Sequence, residues 1–269
     1  MLFRSCDRPK LIVSFGGYLA VPVVLAGWWL GIPAVTHEQT VTAGMANRFL
    51  KYFVKKIFLT WPESTRFFPA RKFQVVGLPL RPEIINPVKK PWFKRKKPLV
   101  LITGGKQGAH IMNQTVFSVL PQLLPHFNIL HQTGRTSTTD DWQRSQKLQA
   151  ESGGRYRAVG YLSDIQMGSA LNQAACVIGR AGAHTVYELL VLGKPAVLVP
   201  LPFSFAQEQR RNAEKVVTAG FGEIIEQADL TPQRLAKAAA MRVKTTGKKQ
   251  ALPLDATQKM VQAIHQLLT

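Results

Sequence analysis

Cysteine is nearly absent: Cys6 and Cys176 are the two in 269 residues. A disulfide-dense fold and a four-cysteine zinc knot are therefore excluded, and a reducing compartment fits. Acidic side chains are scarce as well. Fifteen Asp and Glu stand against 35 Lys and Arg, a formal net charge of +20. The histidines, at positions 37, 110, 126, 131, 184 and 265, have no metal-ligand spacing, so no metal site is expected. There is no Walker A loop, no standard dinucleotide fingerprint and no GxSxG elbow. Zinc-finger, RRM and helix-turn-helix signatures are missing too, as are long repeats.

The charge balance asks for a polyanion or an anionic surface, and nucleic acid, anionic lipid and phosphorylated substrates all qualify. Nucleic acid has only the net charge in its favour, and no specific one is expected. The densest basic run, KKPWFKRKKP from Lys89 to Pro98, is either a solvated connector or, with Trp92 and Phe93 inside it, an interfacial anchor. Apolar residues make up 46% of the chain, enough for real cores in one large or two modest domains.

From Leu11 to Thr36 no Asp, Glu, Lys, Arg or His occurs. On length alone the run spans a bilayer, and with Arg4, Arg8 and Lys10 ahead of it it imitates a signal peptide or anchor. Its punctuation argues against both. Gly16, Gly17, Pro22, Gly27, Gly31 and Pro33 divide it into a strand LIVSF, a turn, a helix from Ala20 to Leu30 and a strand IPAVTHE. A strand–helix–strand unit covered on both faces is apolar nearly throughout.

The same rhythm continues. A helix is predicted over Ala43–Val54 with Met45, Phe49, Tyr52 and Phe53 inside, followed by strands KIFLTW and KFQVVG. Prolines 79, 82, 87, 91 and 98 mark a linker near residues 81–97. Then LVLITGG, FNILHQTG, YRAVGYL, CVIGR, PAVLVPLP and GEIIEQ alternate with helices, and two helices end the chain. This pattern predicts an α/β fold of two doubly wound parallel sheets: a partial domain in residues 1–88, a larger one in 89–250 and a terminal helix in 251–269.

Ligands of such sheets bind beyond the carboxyl ends of the strands, where four loops stand out. Gly104, Gly105, Lys106, Gln107 and Gly108 join a strand to a helix, as suits an anion at a helix N-terminus or simply a tight turn. Gly179 to Thr185 repeats the arrangement, and Glu188 shares a helix face with Thr185. Glu188 either accepts two hydroxyl protons, as from a ribose, or is a first-turn surface charge. The loop PFSFAQEQRRN, with Gln209, suits sugar hydroxyls and phosphates. Thr36, His37, Glu38, Gln39 and Thr40 end an apolar strand, where polar groups require hydrogen bonds or a cleft.

Taken in order, SFGGYLAVPVVLAGWWLGIPAVTHEQ, VVGLPLR, LVLITGGKQGAHIMNQTV, GRAGAHTVYELLVLGKPAVLVPLP and QRRNA resemble glycosyltransferase family 28, and within it the bacterial enzymes that make lipid II. The resemblance implies a GT-B fold, with two Rossmann-like domains facing across a cleft. It also implies an inverting hexosyltransferase that moves N-acetylglucosamine from UDP-N-acetylglucosamine to undecaprenyl-diphosphate-linked N-acetylmuramyl pentapeptide (lipid I to lipid II). No cofactor is implied. The location implied is peripheral, on an anionic membrane surface at the cytoplasmic face of the bacterial plasma membrane.

Carried onto this chain, Gly104, Gly105, Lys106, Gln107 and Gly108 contact the donor and its phosphates, and Leu162 meets the uracil through its backbone. Gly182, Ala183, His184 and Thr185 cradle the nucleotide, Glu188 holds the ribose, Gln209 touches the donor sugar and Arg81 lies near the phosphates. His37 and Glu38 line the acceptor side, with His37 as the base. The last helix crosses back to the first domain. The family usually has serine at Lys106 and asparagine at Thr40 and Leu78. Its first strand is followed by a glycine-rich, histidine-bearing loop, and only Met1 to Val13 precede Ser14 here. The resemblance therefore implies a first domain without its start. Another lipid-directed UDP-sugar glycosyltransferase and an inactive UDP-binding fragment share the donor loops.

Overall fold

The computed structural model describes residues 9–94 and 97–268, so Arg4, Cys6, Arg8, Arg95 and Lys96 lie outside the described residues. The chain forms two units, Met1–Leu80 with Leu252–Thr269, and Arg81–Ala251. The boundary falls at the front of the proline-rich stretch, and residues 81–88 count with the second unit. A short helix there explains this: its Glu83 carbonyl lies so close to Gly168 that no Cβ would fit between them.

The first unit begins with β1 (Ile12–Ser14), α1 (Ala20–Trp29), β2 (Ala34–Glu38), α2 (Met45–Leu50), β3 (Lys56–Leu59) and β4 (Phe73–Val75). Its sheet is parallel throughout, in the order β1-β2-β3-β4. Strands added in one direction by same-handed crossovers place their helices on one face. Accordingly Val24 of α1 and Leu50 of α2 pack with Ile57 and Leu59.

The second unit contains α3 (Pro82–Ile85), β5 (Leu99–Thr103), α4 (His110–Leu123), β6 (Asn128–Gln132), α5 (Asp141–Glu151), β7 (Tyr156–Val159), α6 (Asp164–Gln173), β8 (Ala174–Gly179), α7 (Ala183–Leu192), β9 (Ala196–Leu198), α8 (Glu208–Thr218), β10 (Gly222–Ile224) and α9 (Pro232–Val243). Local chemistry sets several of these ends. Ser163 and Gln166 form a capping box on α6, Thr231 caps α9 ahead of Pro232, and α7 stops at Gly193 with φ +63°. All six strands are parallel, ordered β10-β9-β8-β5-β6-β7. Alternate residues Val100, Ile102, Ile129, Ile178 and Val197 face α4 and α9 in one buried core. This is the Rossmann strand order, reversing between β5 and β8.

The remaining helix, α10 (Ala256–Leu268), belongs to the first unit. Its Ala256, Met260 and Ala263 cover Val35, Phe58 and Val76 on the face that α1 and α2 leave open.

Two expectations are corrected. The helix predicted over residues 43–54 is only α2, and its inward residues are Asn47 and Leu50. Met45, Phe49 and Tyr52 are exposed. The apolar run of residues 11–36 is likewise not explained by burial on both faces. Gly27 lets α1 approach Ile12 closely, yet Trp28 is 59% and Trp29 87% exposed. No helix among the described residues is long and apolar enough to cross a membrane.

A buried polar cluster stiffens the second unit. His131 is fully buried, with Nδ1 2.9 Å from the Tyr156 hydroxyl and Nε2 3.0 Å from Asn113 Oδ1. Asn113 Nδ2 donates to Thr133 O and to Asp141 Oδ2. An amide oxygen only accepts, so Nε2 carries the proton and the Tyr156 hydroxyl donates to Nδ1. The neutral ring is thus fully satisfied, and burial lowers the His131 pKa to about 3. The unfolded chain binds the proton nearer pH 6.5, so stability is highest above that value and is lost as pH falls towards 3. Urea unfolding at stepped pH should show this slope, at most about 1.4 kcal/mol per pH unit. His131→Gln should flatten it; an unchanged slope in that variant would assign it elsewhere.

Candidate functional site

The strand order reverses between β5 and β8, so the loops that leave their carboxyl ends diverge and open a crevice. Glycine permits each close approach in it. At the β8 end, a Cβ on Gly179 would stand 2.8 Å from Thr103 O, so a larger residue would push the two strands apart. After β5 the chain turns through Gly105 at φ +85° and Gly108 at φ +81°. A Cβ on Gly108 would strike Thr133 O, the carbonyl that Asn113 holds. The loop is therefore pressed against the strand end that the His131 cluster fixes. Neither Ala109 ahead of α4 nor Gly182 ahead of α7 supplies a side-chain cap.

A cavity of about 420 Å³ occupies this end of the sheet, lined among others by Arg81, Gly105, Lys106, Gln132, Leu162, His184, Thr185 and Glu188. Two adjoining depressions share Lys106, Gln107 and Gly108 with each other; one adds Gly104 and Arg180, the other His110 and Arg135. Positive charge dominates these walls. Two carboxylates interrupt it, Asp164 and Glu188, and Glu188 on α7 is only 3% exposed. Arg81 reaches it at 2.6 Å through one terminal nitrogen and Asp164 at 2.9 Å through the other. Burial pushes the Glu188 pKa up, and Arg81 opposes that shift. Burial alone would lower the Arg81 pKa, but the Glu188 charge and hydrogen bond, then Asp164, carry it upward. Burial, and then the charge of Arg81, lower the His184 pKa. Arg180 donates to the carbonyls of Val199 and Pro200 and to the Gln227 side-chain oxygen, so its partners in those bonds are all neutral.

Most of the expected donor residues thus gather around one cavity. Gly182 and Ala183 form the turn beside it. Gln209 does not line it; its Oε1 accepts from Leu201 N at 3.1 Å, and Leu201 borders the depression beside Gly104. Sequence reasoning missed Gln132, Tyr161 and Asp164, and it included Arg180 in the loop from Gly179 to Thr185 without giving it a role. Gln132 ends β6 and Arg180 follows β8, both at the carboxyl ends of strands that were recognised, and that position was the available signal.

His37 and Glu38 lie in the first unit, both buried. His37 Nε2 donates to Gly77 O at 3.0 Å. Glu38 is occupied by its own loop. Oε1 accepts from Thr40 N and Thr40 Oγ1, and Oε2 from Gly44 N and Asn47 Nδ2, at 2.8–3.0 Å. Four donors match the capacity of a carboxylate, so Glu38 organises the start of α2. Among the described residues no group of three or more His, Cys, Asp or Glu is placed to hold a metal. Cys176 is buried, its pKa pushed up to about 12, so it is chemically quiet.

Gly108→Ala should destabilise the second unit by more than about 1 kcal/mol, because it adds a clash to an unfavourable φ. Gly105→Ala carries a similar φ with open space around it and should cost only the conformational part. Parallel urea titrations test the difference, and equal losses would show that the Thr133 contact does not matter.

Comparison with known proteins agrees with this geometry. Residues 99–267 match the glycosyltransferase family 28 C-terminal domain, and residues 5–59 match the glycosyltransferase family 28 N-terminal domain. An Anaeromyxobacter UDP-N-acetylglucosamine–N-acetylmuramyl-(pentapeptide) pyrophosphoryl-undecaprenol N-acetylglucosamine transferase is 39% identical over 234 residues, covering 85% of this chain and 59% of its own length. A Bacillus cereus transferase of the same name, numbered 2, is 34% identical and covers 86% and 64%. The crystal structure of Acinetobacter baumannii MurG superposes with a TM-score of 0.70 at 29% identity, over 96% of this chain and 74% of that one. The chain thus spans about three fifths of the length of the curated relatives it matches. It belongs to glycosyltransferase family 28.

Proposed function

We propose that the second unit binds UDP-N-acetylglucosamine and that the chain serves its inverting transfer to undecaprenyl-diphosphate-linked N-acetylmuramyl pentapeptide, lipid I to lipid II. The cavity at the strand-order reversal carries this reading, because Lys106, Thr185 and Glu188 meet in it. Glu188 accepts the ribose hydroxyls there. The guanidinium of Arg81, released from Glu188, turns to the diphosphate with Lys106. The backbone of Leu162 meets the uracil edge, the turn at Gly182 and Ala183 cradles the nucleotide, and Gln209 reaches the sugar.

In the transfer the muramyl 4-hydroxyl attacks the anomeric carbon, the bond to UDP breaks, and an α linkage becomes β. Cations and loop amides stabilise the leaving diphosphate. His37 serves as the base on the acceptor side, and Glu38 holds the loop that follows it.

The first unit supplies the membrane side of the reading. Trp28 packs edge-on against Phe53 at 5.4 Å and Phe53 against Phe49 at 5.3 Å. Lys51 stands over Tyr52, and Tyr18, Leu19 and Trp29 are exposed. Aromatic residues fringed by cations suit an anionic lipid surface, at the cytoplasmic face of the bacterial plasma membrane.

Labelled N-acetylglucosamine should pass from UDP to a short-chain lipid I analogue. UDP binding with no transfer would instead favour a donor-binding fragment, and no UDP binding would sink the reading. Glu188→Ala should weaken UDP about tenfold or more and abolish preference for UDP over its 2′,3′-dideoxy analogue. The wild-type affinity should fall as acid protonates Glu188, starting above the ordinary carboxylate range because burial raises its pKa. Sedimentation with phosphatidylglycerol vesicles should fall when Trp28 and Trp29 are both replaced by Ser. Equal binding to neutral vesicles would count against the anionic surface.

A further inference from the structure

Gln132 is the last residue of β6, which lies between β5 and β7 in the sheet. Its side chain is 2% exposed yet borders the cavity. Nε2 donates to Gly105 O at 2.7 Å, and Oε1 accepts from Leu162 N at 3.1 Å. The partners fix the amide's orientation, since a carbonyl only accepts and a backbone N–H only donates. One side chain therefore ties the loop after β5 to the loop after β7 across the end of the strand between them.

Gly105 O also accepts from Gly108 N within its own turn at 3.2 Å, so the Gln132 amide is what ties that turn to the neighbouring strand end. Gly108 is braced by Thr133, whereas the space a Gly105 side chain would occupy is empty to 4 Å. Thr103 Oγ1 accepts from Gly105 N at 3.2 Å, and Gln132 holds the carbonyl on the other side of the residue. The next peptide is planar and trans, so turning Gly105 O towards Gln132 turns Lys106 N–H the opposite way. At the far end the same amide occupies Leu162 N and leaves Leu162 O as the hydrogen-bonding group that this backbone position offers a base.

We infer that Gln132 is a positioning residue of the nucleotide site, fixing the phosphate-side loop at Gly105 and the base-side loop at Leu162 at a set spacing through one amide. The inference rests on the UDP-binding reading above. It predicts two consequences of Gln132→Met, which keeps the length and removes both bonds. UDP affinity falls about tenfold or more, and amide exchange at Leu162 quickens while exchange in the core strands stays unchanged. Gln132→Glu retains the acceptor for Leu162 N and places an oxygen against Gly105 O. It should therefore keep Leu162 protection and still lose UDP affinity.

Calorimetry with UDP and hydrogen-exchange NMR on the full chain read both effects, with thermal unfolding alongside. Wild-type protein that does not bind UDP would end the binding reading and this inference together. Wild-type binding with undiminished affinity in both variants would end this inference alone. An affinity loss accompanied by faster exchange throughout the core strands would also overturn it, by showing that Gln132 serves general stability.

Discussion

The close passage of β5 and β8 at Thr103 and Gly179 is the constraint on which the rest of the second unit depends. Two parallel strands adjacent in space but separated by two others in sequence must send their following chains apart, and the crevice is the result. A residue larger than glycine at position 179 would meet Thr103 O. The strand ends would separate, and the turns at residues 104–108 and 180–182 would lose their common origin. Everything attributed to the cavity, from the charge of Lys106 to the carboxylate of Glu188, presupposes that these two turns start from neighbouring points.

Behind this arrangement stands a polar interior that serves geometry more than net stability. The chain of contacts from Tyr156 through His131 and Asn113 to Thr133 O ends on the carbonyl against which Gly108 packs. A buried network of this kind holds backbone in one place when every member is satisfied. The Arg81–Glu188 pair is a different case. It sits at the cavity wall, its carboxylate desolvated, and breaking it without substitution would strand a buried charge. Ribose hydroxyls provide such a substitution in the proposed complex.

Much of the fold was legible because parallel strands buried on both faces read as short apolar runs. The six of the second unit and the four of the first occur in the expected order. The donor loops were legible because glycines mark close approaches, as at Gly104, Gly108 and Gly179, or a positive φ, as at Gly105. What escaped detection had contrary or silent signals. Met45, Phe49 and Tyr52 look like an inner helix face, yet Asn47 takes the buried position because Thr36 and Glu38 give its amide partners. Periodicity registers hydrophobicity, not the hydrogen bonds that let a polar residue go inside. Gln132 was hidden for a related reason: glutamine at a strand end has no distinctive spacing, and its importance lies in two backbone groups brought near by the sheet. The boundary at Leu80 and Arg81 falls at the front of the proline cluster because α3 packs on α6, a tertiary contact with no local signature.

The placement of α10 has a consequence for how the protein is made. Residues 252–268 complete a unit whose other strands lie before residue 81, so the whole of Arg81–Ala251 is synthesised in between. At ordinary translation rates that interval lasts about 10–30 s. Throughout it Val35, Phe58 and Val76 await their cover, while the intervening unit gains all its own strands before α10 is made. Maturation therefore runs out of order along the chain, and the earliest-made sheet is the last to be sealed. During that window the nascent polypeptide presents an uncovered apolar face to its surroundings.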